Sequence, residues 1–306
     1  MPHPTDLAKR ERWAMLLIWL VPLLWTVNIV ASRQAPGVVS PNVLALGRWS
    51  MAGGILSALC WRELWLNKHT LWQHRWRYLV LGGCGMWICG AWVYLAGEST
   101  VGMNISLIYA SSPVLIALGS VLWLGEHFSV RQRIGVATAM AGVVHVVVQG
   151  QWAHLTDVVL VPGDLWIVGA SISWAAFALL QRRWPSGLSA TAQLAATCAG
   201  GVAVILPFAL WELQSDQTPV LGLHALALMV LTALLPGVLA YWIYSWSQKV
   251  LGASRVAVTL YLGPLYTAVV AWLVLNEPLG WFHLVGGLLI LSGVALVMIA
   301  KTPKVG

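Results

Sequence analysis

The chain is dominated by long apolar stretches that alternate with short polar connections. Ten of these stretches are about 20 residues long, which is enough for a helix to cross the hydrocarbon layer of a bilayer. They lie near residues 13–32, 42–61, 77–97, 102–124, 132–149, 163–182, 188–211, 222–247, 255–275 and 281–300. Membrane β-strands would be shorter and would alternate strictly between apolar and polar residues. We therefore predict an all-α polytopic membrane protein with ten transmembrane helices.

The composition supports this prediction because charged residues make up only 9% of the chain and apolar types 59%. This composition excludes a cytosolic enzyme, a disordered chain and a secreted disulfide scaffold, since each of these classes has a different share of charged, apolar and cysteine residues. The four cysteines lie in apolar runs without a CxxC pair, so zinc, haem and disulfide frameworks receive no support. We expect no metal and no cofactor.

The distribution of positive charge predicts the orientation. The net charge is +7, but the basic residues lie in short connections, which indicates topology and not a nucleic-acid surface. With the N-terminus in the cytoplasm, cytoplasmic segments hold 15 of the 17 basic residues. We therefore expect both termini in the cytoplasm and an integral protein of a bacterial-type inner (plasma) membrane.

The two halves of the chain share a pattern of anchor residues at an offset of 151. The anchors are Pro113, Glu126, Gly135 and Gly142, which recur as Pro264, Glu277, Gly286 and Gly293. This predicts a first repeat at 1–150 and a second at 151–306, each with five helices. Because five is odd, the second repeat starts from the opposite side of the membrane, so the two repeats are inverted. A duplication kept only for packing is the alternative.

These motifs resemble the signature of the EamA family in the drug/metabolite transporter superfamily. The resemblance is carried by Pro113 with Leu124-Gly125-Glu126, by Pro264 with Leu275-Asn276-Glu277-Pro278, by Trp25 with Asn28, by Arg48-Trp49 and by Ala240-Tyr241 before Gly252-Ala253. It covers nearly the whole chain as two EamA units. It implies a cavity between the halves and alternating access for small metabolites. Similar bacterial members export amino acids and related compounds.

Polar residues inside the predicted helices mark a candidate binding surface, because polar groups in hydrocarbon need a partner or water. On the first, third, fourth, sixth, eighth and ninth helices they share one helical face. We predict that these faces bind the substrate through Trp25, Asn28, Trp87, Tyr94, Asn104, Ser111, Trp174, Phe177, Tyr241, Ser245, Thr259 and Tyr266. Packing in the core, or a hydrogen bond back to the same helix, is the alternative for each residue.

A second group of residues is predicted to act as hinges, as a gate or as helix caps. Pro113 and Pro264 interrupt helices at repeat-related positions and are predicted hinges, with a fixed kink as the alternative. Arg48 is interpreted as a gating or structural residue that snorkels outward or pairs with a partner such as Glu98. Glu126 and Glu277 are predicted to cap the helices that follow them, with proton coupling as the less favoured role.

The leading hypothesis is a secondary transporter that moves a small organic metabolite. No Walker A, HExxH or GxSxG motif occurs, so we predict that the protein is not an enzyme. A membrane-embedded enzyme acting on a lipid or prenyl substrate, with Tyr94 and Glu98 as its best pair, is one alternative, and a receptor or assembly subunit is another. The expected partners are a small-molecule substrate and the lipid bilayer. Small residues of the fifth and tenth helices could join the halves or form a homodimer.

Overall fold

The computed structural model describes residues 4–124, 129–154, 161–215, 221–251 and 262–299. Every regular element within these ranges is helical, and each of the ten predicted stretches contains a described helix. The first five are α1 (Pro4–Leu17 and Leu20–Gln34), α2 (Pro41–Leu59), α3 (Arg75–Gly82, Gly83–Ile88 and Cys89–Gly97), α4 (Gly102–Ala110 and Ser112–Leu124) and α5 (Val130–Val147). The others are α6 (Pro162–Arg183), α7 (Ala190–Leu213), α8 (Leu223–Thr232, Ala233–Leu239 and Ala240–Leu251), α9 (Gly263–Leu275) and α10 (Trp281–Ile299). Short helices Trp61–Leu66 and Lys68–Gln73 and a 3₁₀ turn, Trp152–His154, lie in the connections.

Length and composition agree with a membrane protein. In the described ranges, five helical stretches are long and apolar enough to cross a membrane, and they belong to α1, α3, α6, α7 and α8. Shorter apolar helices occur in α4, α9 and α10. Large apolar side chains such as Trp61, Trp65 and Leu66 are exposed on the surface. A water-soluble protein rarely leaves so much apolar surface uncovered, so the fold is that of an all-α polytopic membrane protein.

Two helices contain a π-helical turn at corresponding positions of the two halves. The turn of α3 covers Gly83–Ile88 and that of α8 covers Ala233–Leu239, which is an offset of 150 between their first residues. A π turn inserts an extra residue into the helix and is frequent at functional sites. Its recurrence in α3 and α8 is structural evidence that these helices are equivalent.

The ends of the helices meet in two groups, which we call the proximal face (the side of the N-terminus) and the distal face. The C-terminal end of α1 meets the α3–α4 connection on the distal face, where Arg33 bonds the carbonyl oxygen of Gly97. The N-terminal end of α6 lies at the same place, since Asp164 bonds Thr100. The equivalent helices α1 and α6 therefore run in opposite directions, and the two five-helix repeats are inverted.

Two helices pack against their own counterparts in the other repeat, α5 against α10 and α2 against α7. Glycine permits the close approach of α5 and α10. A Cβ atom at Gly293 would lie 2.5 Å from both the amide nitrogen of Ala139 and the carbonyl oxygen of Gly135. The small residues of α5 and α10 thus join the two halves of one chain. A homodimer stays a prediction.

The pair α2 and α7 is closed at both ends by carboxylates that cap the partner helix. Glu212, at the end of α7, accepts hydrogen bonds from the backbone N–H groups of Asn42 and Val43 at 2.9 and 3.2 Å, in the first turn of α2. Glu63, just after α2, accepts from the N–H and hydroxyl of Ser189, the residue before α7, at 2.5 and 2.6 Å. A carboxylate at a helix N-terminus satisfies free N–H groups and complements the helix dipole.

We expect that a side chain at Gly293 separates α5 from α10. Gly293→Val would force its Cβ atom into the backbone of α5, where overpacking typically costs about 1–3 kcal/mol. The midpoint of thermal unfolding in detergent measures this loss.

Gly54→Ala is the matched control, because a Cβ atom at Gly54 meets no atom within 4 Å. It removes a helical glycine and is expected to preserve or raise the midpoint. Equal midpoints for Gly293→Val and the wild-type chain would contradict the close α5–α10 contact.

Candidate functional site

Three helices of the first repeat contribute a largely buried polar triad. Arg48 of α2 donates from Nη1 to Asn28 Oδ1 of α1 at 2.7 Å and to Tyr94 Oη of α3 at 3.3 Å. The hydroxyl of Tyr94 donates to the same Asn28 oxygen at 2.8 Å. Arg48 begins about two helical turns below the distal end of α2. The triad thus brings together two predicted binding residues, Asn28 and Tyr94, and the predicted gating residue Arg48.

Arg48 is only 5% exposed, yet its hydrogen-bond partners are neutral oxygens. No carboxylate of the described residues is bonded to it. Of the two alternatives for Arg48, the one that pairs it with Glu98 does not occur: Glu98 lies exposed just after the end of α3, within electrostatic reach of Glu212. Desolvation at that helix end, reinforced by the Glu212 carboxylate, raises the pKa of Glu98.

Aromatic rings from both repeats pack next to the triad. The ring of Trp49 lies under the Arg48 guanidinium, 4.3 Å from ring centroid to Cζ. Tyr241 of α8 packs edge-on against Trp49 at 6.5 Å and against Trp25 at 6.0 Å between centroids. Trp25 also contacts Tyr244 at 5.7 Å. These four residues form what we call the aromatic wall, and it crosses the seam between the first and second repeats.

Trp87, another predicted binding residue, is engaged closer to the distal face. Its indole N–H donates to Asn42 Oδ1 at 2.9 Å, and its ring stacks on Phe208 at 4.1 Å between centroids. Asn42 in turn donates to Glu212, so Trp87 extends the network that caps α2.

Other predicted binding residues lie apart from the triad. Trp174 and Phe177 contact each other at 5.3 Å and pack in a separate apolar cluster of α3 and α6. The hydroxyl of Ser111 donates back to the carbonyl oxygen of Ile108 in its own helix at 2.6 Å. Tyr266 is half-buried on α9. Ser245 lies in α8, but its side chain is outside the description, and Thr259 lies outside the described residues.

The predicted hinges both lie in the first turn of a described helix. Pro113 is the second residue of the segment Ser112–Leu124, and α4 is interrupted at Ser111 just before it. Pro264 is the second residue of α9. This first-turn position suits proline, whose missing N–H would have no partner in the helix. Their motion as hinges stays a prediction.

Asn104 belongs to a second buried network near the distal face. Its amide group donates to both carboxylate oxygens of Asp164 at 3.1 and 3.2 Å, and the Thr100 hydroxyl also bonds Asp164. His283 accepts the N–H of Gly280 at Nδ1, so Nε2 carries the proton and donates to Asn104 Oδ1 at 3.0 Å. The side chains of Asp164 and His283 are 0% and 4% exposed. Helices α4, α6 and α10 are thereby tied to one another.

This network borders a cavity of about 290 Å³, lined in part by Thr100, Asn104, Phe282 and His283. Asn104 was predicted from the sequence, whereas Asp164 and His283 were not. The sequence does contain a signal for these two residues, since Asp164 and His283 are titratable and each lies within the first turn of a predicted apolar stretch. Only the packing of α4, α6 and α10 brings them together.

Glu277 joins three chain segments at the distal face. Its carboxylate accepts from Arg33 Nε at 2.7 Å and from the backbone N–H of Gly102 at 2.8 Å. The prediction that Glu277 caps the following helix is therefore wrong: it caps α4, because the chain reverses at the left-handed residue Asn276 and turns the carboxylate toward the first repeat. Glu126 lies outside the described residues. Arg33 and Glu277, with their bonds to Gly97 and Gly102, are called the distal latch below.

We expect Thr100→Val to destabilise the protein, because the change keeps the shape and removes one donor from the buried Asp164 carboxylate. Hydrogen bonds to charged groups contribute about 1.5–3 kcal/mol. Thermal unfolding in detergent measures the loss, with Ser99→Ala on the exposed neighbour as the matched control. An unchanged midpoint in Thr100→Val would mean that the Thr100–Asp164 bond contributes nothing to stability.

Sequence comparison identifies full-length relatives of the chain. An uncharacterized transporter of Archaeoglobus fulgidus is 28% identical over 283 residues, which cover 92% of this chain and 96% of the relative. The uncharacterized transporters YyaM and YvbV of Bacillus subtilis are 26% and 28% identical, and the alignments cover 89% and 94% of this chain and 90% and 92% of those proteins.

Structural comparison finds a similar chain in a solved crystal structure, with a TM-score of 0.59 and 20% sequence identity. The match covers 93% of this chain and 96% of the chain in that crystal structure. At that identity the likeness is one of fold. The model of the EamA-like transporter family matches residues 12–148 and again residues 161–299. These two matches cover both five-helix repeats and agree with the paired π turns and the inverted α1 and α6. The chain therefore belongs to the EamA-like transporter family.

Proposed function

We propose that this protein is a secondary transporter that exports a small organic metabolite, an amino acid or a related compound, by alternating access. The substrate binds beside the triad of Asn28, Arg48 and Tyr94 and against the aromatic wall. The polar groups orient the polar part of the substrate, and the rings of Trp25 and Tyr241 hold its apolar part.

The observation that carries this proposal is the contact between the two repeats at the aromatic wall. Trp25 belongs to the first repeat and Tyr241 and Tyr244 to the second, so a substrate in contact with these rings touches both moving parts. Transporters built from inverted repeats bind substrate at the repeat interface near the membrane midplane. Trp25, Asn28 and Tyr241 are half-buried, which leaves part of their surface available to a ligand.

The distal latch supports alternating access. It ties the ends of α1 and α9 to both sides of the α3–α4 connection. In this proposal these bonds hold the distal face closed over the triad. Because 15 of the 17 basic residues fall in connections that the sequence predicts to share the side of the N-terminus, the proximal face is assigned to the cytoplasm and the distal face to the outside. Opening the latch would release an exported substrate.

The substrate class and the direction of transport come from the resemblance to bacterial exporters, while the relatives reported above are named as transporters. Substrate exchange in proteoliposomes tests the proposal without an assumed driving force. Purified protein is expected to accumulate a labelled amino acid by counterflow when an unlabelled excess is trapped inside. Failure with every member of a broad panel of amino acids and related metabolites would overturn the proposal.

Trp25→Ala and Tyr241→Ala are expected to weaken the apparent affinity by about tenfold each, because each removes an aromatic contact worth about 1.4 kcal/mol. Trp65→Ala is the matched control, since Trp65 is exposed on the short helix Trp61–Leu66. Counterflow at varied substrate concentration measures the affinity. An equal loss in all three variants would contradict the assignment of the aromatic wall to the substrate.

The distal latch has its own test, in which Glu277→Gln weakens the ion pair with Arg33. A cysteine placed at Asn28, in a chain whose four native cysteines are replaced, reports access to the triad. We expect a membrane-impermeant maleimide added on the distal side to label this cysteine several-fold faster in the Glu277→Gln background. The substitution removes the negative charge of the ion pair and leaves Arg33 without a charged partner, which weakens the latch. Glu98→Gln on the same face is the control. Unchanged labelling would show that the latch does not close the distal path.

A further inference from the structure

We propose that Arg48 binds a carboxylate of the substrate, so that the cargo is an organic carboxylate with an apolar or aromatic body. This inference rests on the proposed transport function and specifies its substrate class. It gives Arg48 a direct binding role in addition to its hydrogen bonds within the triad.

The positive charge of Arg48 is not balanced by a neighbouring carboxylate of the described residues. A guanidinium group stays protonated in proteins, so Arg48 carries a full positive charge in a site where it is 5% exposed. Its partners Asn28 and Tyr94 are neutral, and no carboxylate of the described residues is bonded to it. Charges within a membrane protein are costly unless they are paired. An anionic ligand would supply the missing charge.

The guanidinium of Arg48 is held through one of its three nitrogens. Both hydrogen bonds of Arg48 leave from Nη1, toward Asn28 and Tyr94. The Nε atom is buried and has no hydrogen-bond partner in the described part of the molecule. Arginine binds a carboxylate side-on through two parallel N–H groups, and the edge with Nε and Nη2 is one of its two-donor edges. The triad therefore fixes the guanidinium by one nitrogen and keeps a donor on the opposite edge without a partner.

Aromatic rings surround the Arg48 guanidinium. Trp49 supports the guanidinium from below, and Tyr241 and Trp25 continue the aromatic wall away from it. An apolar body attached to the carboxylate can pack on these rings. A single cation matches a monocarboxylate better than a doubly charged phosphate, which would leave one negative charge unbalanced. The ammonium group of an amino acid would lie on a ring face, by a cation–π contact.

Matched pairs of acid and amide test this inference. The probes are indole-3-propionate with indole-3-propionamide and L-tryptophan with L-tryptophanamide, measured by ligand-induced thermal stabilisation and by counterflow. We expect the acid of at least one pair to bind wild-type protein at least about tenfold more tightly than its amide, since the amide lacks the charge that strengthens the hydrogen bonds.

Variants then assign the preference to Arg48. Arg48→Gln is expected to reduce the acid-to-amide ratio of affinities to about one, and Arg48→Lys to retain part of it because the charge is kept. Arg62→Gln is the matched control, since Arg62 is an exposed cation stacked on Trp61, 5.4 Å from Cζ to the ring centroid. If Arg48→Gln does not fold, the wild-type pairs and Arg48→Lys still decide the outcome.

The outcomes separate this inference from the proposed function. Equal binding and exchange of acids and amides by wild-type protein would overturn the carboxylate assignment while the transport function stands. A preference for acids that survives in Arg48→Gln would overturn the role of Arg48 in the same way. If the protein exchanges neither these probes nor any member of the broader metabolite panel, the proposed function fails and this inference fails with it.

Discussion

Hydrocarbon offers no hydrogen-bond partner, so a chain that crosses it ten times must satisfy its polar groups within the protein. Three carboxylates respond to this constraint in the same way. Glu63, Glu212 and Glu277 each accept the backbone N–H group of a helix start on another element. Each bond satisfies a helix end and also fixes the position of one helix against its neighbour. The interhelical geometry of the fold therefore depends on where polar groups find partners.

Helix caps formed by carboxylates and π turns occur in both repeats, but the two repeats are not alike in their central residues. Glu63 and Glu212 cap each other's helices, and π turns recur in α3 and α8. Arg48 has no such counterpart. Thr197 lies near the corresponding position of α7, and its hydroxyl bonds back to Gln193 in its own helix at 2.8 Å. The positive charge of the centre thus comes from one repeat, while the aromatic wall comes from both.

The predictability of the site differs from residue to residue. Asn28, Tyr94 and Tyr241 were recognised because each lies on a helical face that carries other polar or aromatic residues. Arg48 was recognised as buried, but Asn28 and Tyr94 were not recognised as its partners, since spacing along the chain does not reveal how deep one helix lies against another. Asp164 and His283 were missed because each is an isolated polar residue at the edge of an apolar stretch. Glu277 was recognised as a cap, but the helix it caps is far away in the chain.

The amino-acid sequence by itself determined the number of helices, the repeat and its inversion. These follow from the length of apolar stretches, the recurrence of anchor residues and the odd number of passes, all of which are local or can be counted along the chain. The tertiary structure decided which polar side chains meet: Arg48 with Asn28 and Tyr94, Asp164 with Asn104, and Glu277 with Arg33 and Gly102. The physical reason is that a hydrogen bond depends on distances of about 3 Å between atoms. Such distances are set by the rotation, depth and crossing of packed helices, which hydropathy does not encode.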